Sequence, residues 1–403
     1  MIRSIISIVV IAFFFVACNG HKEKSGFVSI KEEVIDSMPG ECPYLTKDAK
    51  GNDVLSWVRM INDSTTEFRY AFLKGKTFSA PIIIPGSNNI QPHGENMPKI
   101  IFKPSGEIIA LWGEANPNPK NKYSGVVFFV QSFDEGRTWT NPRPLISDTA
   151  SYDQRYYDVA LLPDGEAGIL WLDNRKTTNL DGSGLYFAST QGGSGFQRDR
   201  LISQPCCQCC RTDLFVDKKG NIHAIYRGIQ DSVRDMVHIV STDQGSSFSK
   251  PEKISDDNWV IKGCPHTGPA MSETDNGLEF AWFTGGKNKG CYYSCSKDNG
   301  SSFSPRSPIS ESGSHPQLTS MPNGNVIVVW DETVQVNNEY FKRIGIQKRN
   351  NKDMQPNIDF ITADTSIATY PTVAATGTNE LLVAYAIKKG KKNSVAYQLL
   401  NFQ

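Results

Sequence analysis

One pattern recurs seven times along this chain, and its regularity limits the fold more than any other feature. Each copy has an apolar run, a turn, a second apolar run and a closing aromatic residue. In six of the seven copies Gly lies five or six residues before that aromatic, and in the seventh Asn379 takes this position. The closing aromatics lie 48 to 59 residues apart, and they are Trp57, Trp112, Trp171, Tyr226, Trp282, Trp330 and Tyr385. Two short β-rich runs around a tight turn predict a β-hairpin in each copy.

A period near 55 residues leaves room for two more strands after each hairpin. Four-stranded units that repeat around an axis form a β-propeller, so the chain is predicted to be an all-β propeller with four-stranded blades. Seven copies favour seven blades, with six as the alternative. The run GFVSIKEEVI at 26–35 is expected to supply an outer strand of the last blade. The closing aromatics are expected to pack between blades.

The start of the chain indicates export. Residues 1–17 hold one Arg and then an apolar run over 5–16, which is typical of a secretory signal and too short to span a membrane. The segment ends FVAC and resembles a bacterial lipobox, so Cys18 is expected to carry a lipid, with ordinary signal cleavage as the alternative. We expect a flexible tether at 18–27, one propeller domain over 28–403, and a lipoprotein that faces the periplasm or the cell surface.

The balance of charged residues limits the kinds of partner that the protein can attract. Lys and Arg together number 42, and Asp and Glu together also number 42, so no net field attracts nucleic acid or an anionic membrane. We therefore expect no nucleic-acid partner, membrane contact only through the lipid anchor, a monomer, and no cofactor.

A second motif follows several hairpins. It reads SFDEGRTW at 132–139, STDQGSSF at 241–248 and SKDNGSSF at 296–303. This motif resembles the Asp-box, or BNR repeat, of sialidase-superfamily propellers. The resemblance implies that its residues build turns on the face opposite the active site, and that these are Ser132, Asp134, Gly136, Trp139, Ser241, Asp243, Gly245, Phe248, Ser296, Asp298, Gly300 and Phe303.

The resemblance spans about residues 40 to 400 and implies a glycan site at the axial mouth of the propeller. A retaining sialidase clamps the substrate carboxylate with an Arg triad and uses a Tyr nucleophile with acidic partners. Tyr370 is the expected nucleophile, with Tyr156 as the alternative. Asp173 and Asp235 are the expected proton carriers, with Glu332 as a further candidate. The expected substrate-binding residues are Arg155, Arg175, Arg211, Arg227, Arg234 and His266.

These residues predict recognition, and possible hydrolysis, of an acidic glycan by a sialidase-like lipoprotein. One departure keeps a second hypothesis open. The early blades read ECPY and NMPK, without the Arg of the Phe-Arg-Ile-Pro-like motif that sialidases carry. The alternative is a non-catalytic propeller that binds a glycan or a protein.

The stretch PCCQCCRTD at 205–213 concentrates four cysteines at the start of the fourth copy. In an exported chain, disulfides that pin this loop are the first interpretation, and they would involve Cys206, Cys207, Cys209, Cys210 and Cys264. A thiolate metal site that also uses His266 is the second, and a redox-active or free thiol cluster is the third. The spacing differs from the C-x-x-C of zinc knuckles, so no bound metal is the primary expectation.

Overall fold

The computed structural model describes residues 26–119, 121–148, 150–175, 182–350 and 357–402. The predicted signal segment and Cys18 lie outside the described residues. Strand β1 (Phe27–Val34) begins the described chain. The first blade contains β2 (Gly40–Lys47), β3 (Asp53–Met60), β4 (Thr66–Lys74), β5 (Thr77–Phe78) and β6 (Ile82–Ile84).

The next three blades have four strands each. The second contains β7 (Lys99–Phe102), β8 (Ile108–Ala115), β9 (Gly125–Ser132) and β10 (Arg143–Pro144). The third contains β11 (Gln154–Leu161), β12 (Ala167–Asp173), β13 (Ser183–Thr190) and β14 (Phe196–Cys206), with a 3-10 turn at Gly192–Ser194. The fourth contains β15 (Asp213–Val216), β16 (Ile222–Arg227), β17 (Met236–Ser241) and β18 (Glu252–Lys253).

The last three blades complete the ring. The fifth contains β19 (Ala270–Thr274), β20 (Gly277–Thr284), β21 (Gly290–Ser296) and β22 (Ser307–Ser310). The sixth contains β23 (Gly313–Ser320), β24 (Val326–Val336), β25 (Glu339–Arg349) and β26 (Ile358–Phe360). The seventh contains β27 (Ala368–Ala375), β28 (Glu380–Lys389) and β29 (Lys392–Phe402), and β1 pairs with β29 as its outer strand.

The innermost strands form a closed ring around the axis. The contacts run β2 to β7, β11, β15, β19, β23 and β27, and from β27 back to β2. All blades are antiparallel sheets, and the N-terminal strand closes the last one, so the prediction of a seven-bladed propeller is confirmed. Closing the ring covers the open sheet edge that would otherwise be left for pairing with another chain.

Each closing aromatic packs against the preceding blade, as the sequence predicted. Trp57 lies in a cluster with Leu382 and Ala384 of the seventh blade, and Trp282 lies with Ile225 of the fourth. The five predicted inter-blade Trp side chains are fully buried. Truncating such a side chain to Ala costs about 3–5 kcal/mol, so these contacts contribute strongly to the stability of the ring.

The three turns predicted from the second motif share one set of hydrogen bonds. In the turn at 241–248, the Ser241 hydroxyl donates to Asp243 at 2.7 Å and accepts the Gly245 N–H at 2.8 Å. The Asp243 carboxylate also accepts from the N–H and hydroxyl of Ser247. The turns at 132–139 and 296–303 repeat these bonds. The Gly has a positive φ each time, which explains why that residue type is needed there.

Candidate functional site

Unusual backbone geometry marks the start of several innermost strands. Cys42, Tyr156, His315 and Tyr370 have φ between 51° and 58°, and each lies at a register shift in its innermost strand. His266, just before β19, has φ 49°. A non-glycine residue in this left-handed region costs of order 1–3 kcal/mol, and such strain concentrates at functional sites. Bulges also redirect side chains. In five different blades, a residue with this strained backbone lies at the same position relative to the axis.

These positions bring together a group of polar side chains that we call the axial cluster. It consists of His93, Glu95, Tyr156, His266, His315 and Tyr370. Four members, all except Glu95 and Tyr156, are only half-buried. The cluster therefore presents three imidazoles and a phenol to solvent.

One half of the axial cluster is built around His266. Its Nδ1 lies 3.3 Å from the Tyr156 hydroxyl, and its ring centroid is 5.4 Å from that of His93. The Glu95 N–H donates to His93 Nδ1 at 3.2 Å, so neutral His93 carries its proton on Nε2. Burial, and next the neighbouring His266, lower the pKa of His93. Burial also raises the pKa of Tyr156, which keeps its phenol protonated.

The other half is an ion pair under an aromatic ring. His315 Nδ1 lies 2.6 Å from Asp331 Oδ2, and the His315 and Tyr370 ring centroids are 4.2 Å apart. Burial alone would lower the pKa of His315, but the Asp331 carboxylate outweighs burial and raises it. In turn, burial acts to raise the pKa of Asp331, and His315 with Lys342 reverses this and lowers it. The surroundings of His315 therefore favour its protonated form, whereas those of His93 favour the neutral form.

Arg211 lies beneath the axial cluster and contacts its member Glu95. Arg211 is 4% exposed, and its Nη2 donates to the carbonyl oxygens of Gly268 and Pro316, each at 3.4 Å. Its Nε lies 3.6 Å from Glu95 Oε1, while Glu95 Oε2 accepts the Gly268 N–H at 2.5 Å. Arg211 thus connects the strands of three blades.

The predicted arginine clamp is not assembled, because protein acceptors already engage the guanidinium groups. Arg155 makes two short bonds to Asp153, at 2.6 and 2.7 Å. Arg175 is 5% exposed and faces Asp173 and Asp199. Arg227 and Arg234 donate to backbone carbonyls and to sulfur atoms. Two of the five predicted clamp residues contact the axial cluster: Arg211, which is buried and faces Glu95, and Arg155, whose guanidinium carbon lies 5.4 Å from the centroid of the Tyr156 ring.

Asp173 lies away from the axial cluster and belongs to a repeated packing feature. The indole N–H of Trp171 donates to Asp173 at 3.1 Å. Trp112 to Glu114 and Trp330 to Glu332 repeat this contact at the same two-residue spacing. Asp173 also accepts from Ser151 and from the Arg175 N–H, and it is fully buried. The carboxylate after the aromatic therefore serves as an indole acceptor.

Asp235 anchors a loop, whereas the expected nucleophile Tyr370 and its alternative Tyr156 both lie in the axial cluster. The Asp235 carboxylate accepts the N–H groups of Asn258 at 3.2 Å and Trp259 at 3.1 Å, and it is 2% exposed. Sequence reasoning missed His93 and Glu95. Their signal was the segment QPHGENMP, where charged and imidazole side chains directly precede the recurring Pro of the second blade.

The predicted disulfides are not formed among the eight described cysteines, which are all free. Cys207 Sγ lies 3.5 Å from Cys209 Sγ and 3.8 Å from Cys210 Sγ, far beyond a covalent S–S bond of about 2.05 Å. Cys206 instead faces the Ser203 carbonyl at 3.8 Å, and Cys264 is exposed.

Cys207, Cys209 and Cys210 form a group that we call the cysteine triad. Their sulfur atoms all lie within 4.8 Å of one another, and all three residues are buried. Arg227 Nε donates to Cys210 Sγ at 3.3 Å, and Arg234 Nη1 donates to Cys207 Sγ at 3.1 Å. Hydrogen bonds from the other two thiols, and then the two guanidinium groups, lower the pKa of Cys207. The triad shares a buried cluster with Tyr156 and so lies beside the axial cluster.

None of the helices in the described ranges is long and apolar enough to cross a membrane. Comparison with protein families and with curated proteins finds no match.

Solved structures do match, over nearly the whole chain. An ulvan lyase, a polysaccharide lyase solved with a unit of GlcA and sulfated rhamnose, is 10% identical with a TM-score of 0.57, covering 92% of this chain and 96% of its own. A Dyadobacter fermentans protein of unknown function is 15% identical with a TM-score of 0.56, covering 94% and 100%. An intramolecular trans-sialidase from Ruminococcus gnavus is 9% identical with a TM-score of 0.49, covering 90% and 94%. At 10% and 15% identity, the likeness to the ulvan lyase and to the Dyadobacter fermentans protein shows a shared fold.

Proposed function

We propose that this protein acts on an acidic polysaccharide at the axial cluster, by β-elimination at a uronate. The observation that carries the proposal is the pairing at the mouth of the propeller. A half-exposed imidazole pair, His93 and His266, lies near His315, whose protonated form a buried carboxylate favours, whereas burial favours the neutral form of His93. Titratable groups whose surroundings push their pKa values apart are the usual acid and base of a proton-transfer reaction.

These groups supply and accept every proton that the proposed elimination needs. His266 removes the proton from the carbon next to the substrate carboxylate, the electron pair forms a carbon–carbon double bond, and the bond to the leaving oxygen breaks. His315 gives its proton to that oxygen. One proton is taken and one is given, and exchange with solvent restores both half-buried imidazoles. General acid–base catalysis by placed side chains contributes about 10²–10⁴-fold in rate.

The remaining members of the axial cluster position and bind. Tyr156 fixes the His266 ring through its hydroxyl. The Nε2–H of His93 is a donor for the substrate carboxylate, because its Nδ1 is occupied by the Glu95 N–H. The ring of Tyr370 covers His315 and offers an apolar face on which a sugar ring can stack.

Hydrolysis of the sialidase type is the competing activity, and the arginines argue against it. A carboxylate clamp needs guanidinium groups that are free to bind the substrate, whereas those of Arg155, Arg175 and Arg211 already face protein carboxylates. The substrate class is drawn from the ulvan lyase, whose bound sugar includes GlcA, a uronate.

The test is a panel of substrates with two readouts. Sulfated and unsulfated polysaccharides of glucuronate and iduronate are followed by the ultraviolet absorbance of the unsaturated uronate product, and a fluorogenic sialoside is followed by fluorescence. We expect absorbance with at least one uronate polymer, lost in His266→Ala and kept in Lys262→Gln, an exposed change in the same loop. Turnover of the sialoside alone would establish hydrolysis instead. Binding to a glycan array without any product would establish the non-catalytic alternative.

We also propose that the propeller is held at the cell envelope through Cys18. The support is the lipobox-like FVAC at 15–18 after an apolar run. Metabolic labelling with a fatty acid analogue should label the full chain and fail to label Cys18→Ala, while the Cys295→Ser control is labelled normally. Equal labelling of the wild type and Cys18→Ala would refute the anchor.

A further inference from the structure

The cysteine triad has a charge arrangement that free thiols do not explain. Two guanidinium groups, of Arg227 and Arg234, donate to sulfur atoms of the triad. Throughout the described ranges, no carboxylate lies within ion-pair distance of either group. Arg227 is 1% exposed, and a buried charge without a counter-charge is strongly disfavoured. Arg227 also donates to three backbone carbonyl oxygens, which carry no formal charge. Negative charge on the sulfur atoms would supply the counter-charge that the two guanidinium groups lack.

The spacing of the sulfur atoms also fits a shared ligand. A metal with sulfur ligands at about 2.3 Å holds neighbouring sulfur atoms about 3.8 Å apart at tetrahedral angles. The measured Sγ separations from Cys207 are 3.5 Å to Cys209 and 3.8 Å to Cys210. Three sulfur atoms at this separation cannot all be satisfied by one disulfide, because one of them would stay unpaired.

We propose that Cys207, Cys209 and Cys210 bind one thiophilic closed-shell metal ion, Zn²⁺ or Cu⁺, as three thiolates. Thiolate ligands select these ions over hard cations such as Mg²⁺ and Ca²⁺. Three thiolates and two guanidinium groups sum to one negative charge, which Cu⁺ neutralises and Zn²⁺ converts to one positive charge. The ion takes the place of the disulfides that an exported loop would ordinarily use.

Because of where the cysteine triad lies, a bound ion would affect the residues beneath the axial cluster. Cys210 directly precedes Arg211, whose side chain connects Gly268, Pro316 and Glu95 beneath the axial cluster. Tyr156 packs in the same buried cluster as the triad. An ion on the three sulfur atoms would fix this loop and, through it, the floor of the axial cluster. The metal site does not depend on the proposed reaction, and its readouts do not require turnover.

The first experiment measures metal directly on the full-length mature chain. Protein purified under reducing conditions should contain one Zn²⁺ or Cu⁺ per chain by elemental analysis and by native mass spectrometry. Replacement with Co²⁺ should produce sulfur-to-metal charge-transfer absorption. Metal-free protein that takes up neither Zn²⁺ nor Cu⁺ at one-to-one stoichiometry would overturn the proposal, as would a peptide map showing a disulfide between two triad cysteines in the reduced preparation.

The second experiment uses matched cysteine variants. Cys209→Ser should lose the bound ion, whereas Cys206→Ser, which changes a buried neighbour outside the triad, and Cys295→Ser should keep it. Arg234→Gln keeps all three ligands but removes a donor to Cys207, and it should weaken metal affinity about 10-fold. If Cys209→Ser does not fold, thiol labelling of the wild type decides: three thiols should become reactive only after a chelator removes the ion. Equal labelling with and without the chelator would contradict the site.

Discussion

His315 and Asp331 form a buried ion pair at the axis, with Nδ1 and Oδ2 2.6 Å apart. The carboxylate is fully buried, and it also accepts the Tyr370 N–H at 3.0 Å and lies 2.8 Å from Lys342 Nζ. A single carboxylate thus orients an imidazole, an aromatic residue and a lysine from two blades. Removing it should affect both stability and titration.

Asp331→Asn should destabilise the fold by about 3 kcal/mol, because it leaves the imidazolium and the lysine without their buried counter-charge. The pKa of His315 should fall, since Asp331 is the largest influence that opposes burial and only the weaker effect of Glu95 would remain against it. Urea unfolding and NMR titration of the imidazole measure the two effects. Asp364→Asn, an exposed partner of Arg343, is the control and should change stability by less than about 0.5 kcal/mol. An unchanged His315 titration in Asp331→Asn would contradict the assignment.

Stability should depend on pH in a window set by this pair. The folded pKa of His315 is raised, so its contribution is fully present below the unfolded value of about 6.5 and is lost as pH rises through the folded value. The folded pKa of Asp331 is lowered, so its contribution is present above about 3.9 and is lost as pH falls through the folded value. Unfolding free energies measured across the pH range should show both losses, and the loss that appears as pH rises above about 6.5 should be absent in His315→Gln.

His266→Ala should lower kcat/KM on the active polysaccharide by about 10²–10⁴-fold, because the proposed base is removed. Tyr156→Phe should keep the ring but remove the hydroxyl 3.3 Å from His266 Nδ1, and we expect a smaller loss with a shifted pH–rate profile. Steady-state kinetics across pH separates the two. Equal losses without a change in the pH profile would mean that Tyr156 acts only in packing.

Asp173→Asn should lower stability by about 1–3 kcal/mol while leaving kcat unchanged, since this carboxylate serves the Trp171 indole and Arg175. Thermal unfolding and turnover of the same preparation test this. Asp199 also faces Arg175 but lies at the surface, so Asp199→Asn should have only a small effect on stability. A loss of kcat in well-folded Asp173→Asn would restore it as a proton carrier.

Gly268→Ala should disturb the floor of the axial cluster. A Cβ at Gly268 would lie 2.5 Å from both Cβ and the carbonyl oxygen of Arg211, so a backbone segment must move. We expect a loss of about 1–3 kcal/mol and reduced activity. Gly263→Ala lies in the same loop, where the added Cβ meets the Ile261 side chain at 3.8 Å, and it should be neutral. Chemical unfolding and activity assays compare the two variants.

The propeller could be predicted from the sequence because its determinants are local and repeat. Each hairpin needs only two β-rich runs and a turn, and each closing aromatic needs only a neighbouring blade, so Trp57 through Tyr385 specify seven units. The turn at 241–248 is equally local, because Ser241 and Asp243 bond to residues within four positions.

The arrangement of the site depends on tertiary structure, because the protonation and the hydrogen bonds of a charged side chain depend on its partner. The sequence places Arg211 and His315 at the right phase of their blades. Arg211, however, faces Glu95 more than a hundred residues away, and the carboxylate of Asp331 favours the protonated form of His315. Three imidazoles from different blades meet only when the ring closes. Sequence alone determined the seven-bladed ring and the blade positions from which side chains can reach the axis. The closed ring decided which residues meet there, His93 and Glu95 among them, and which are paired with other protein groups.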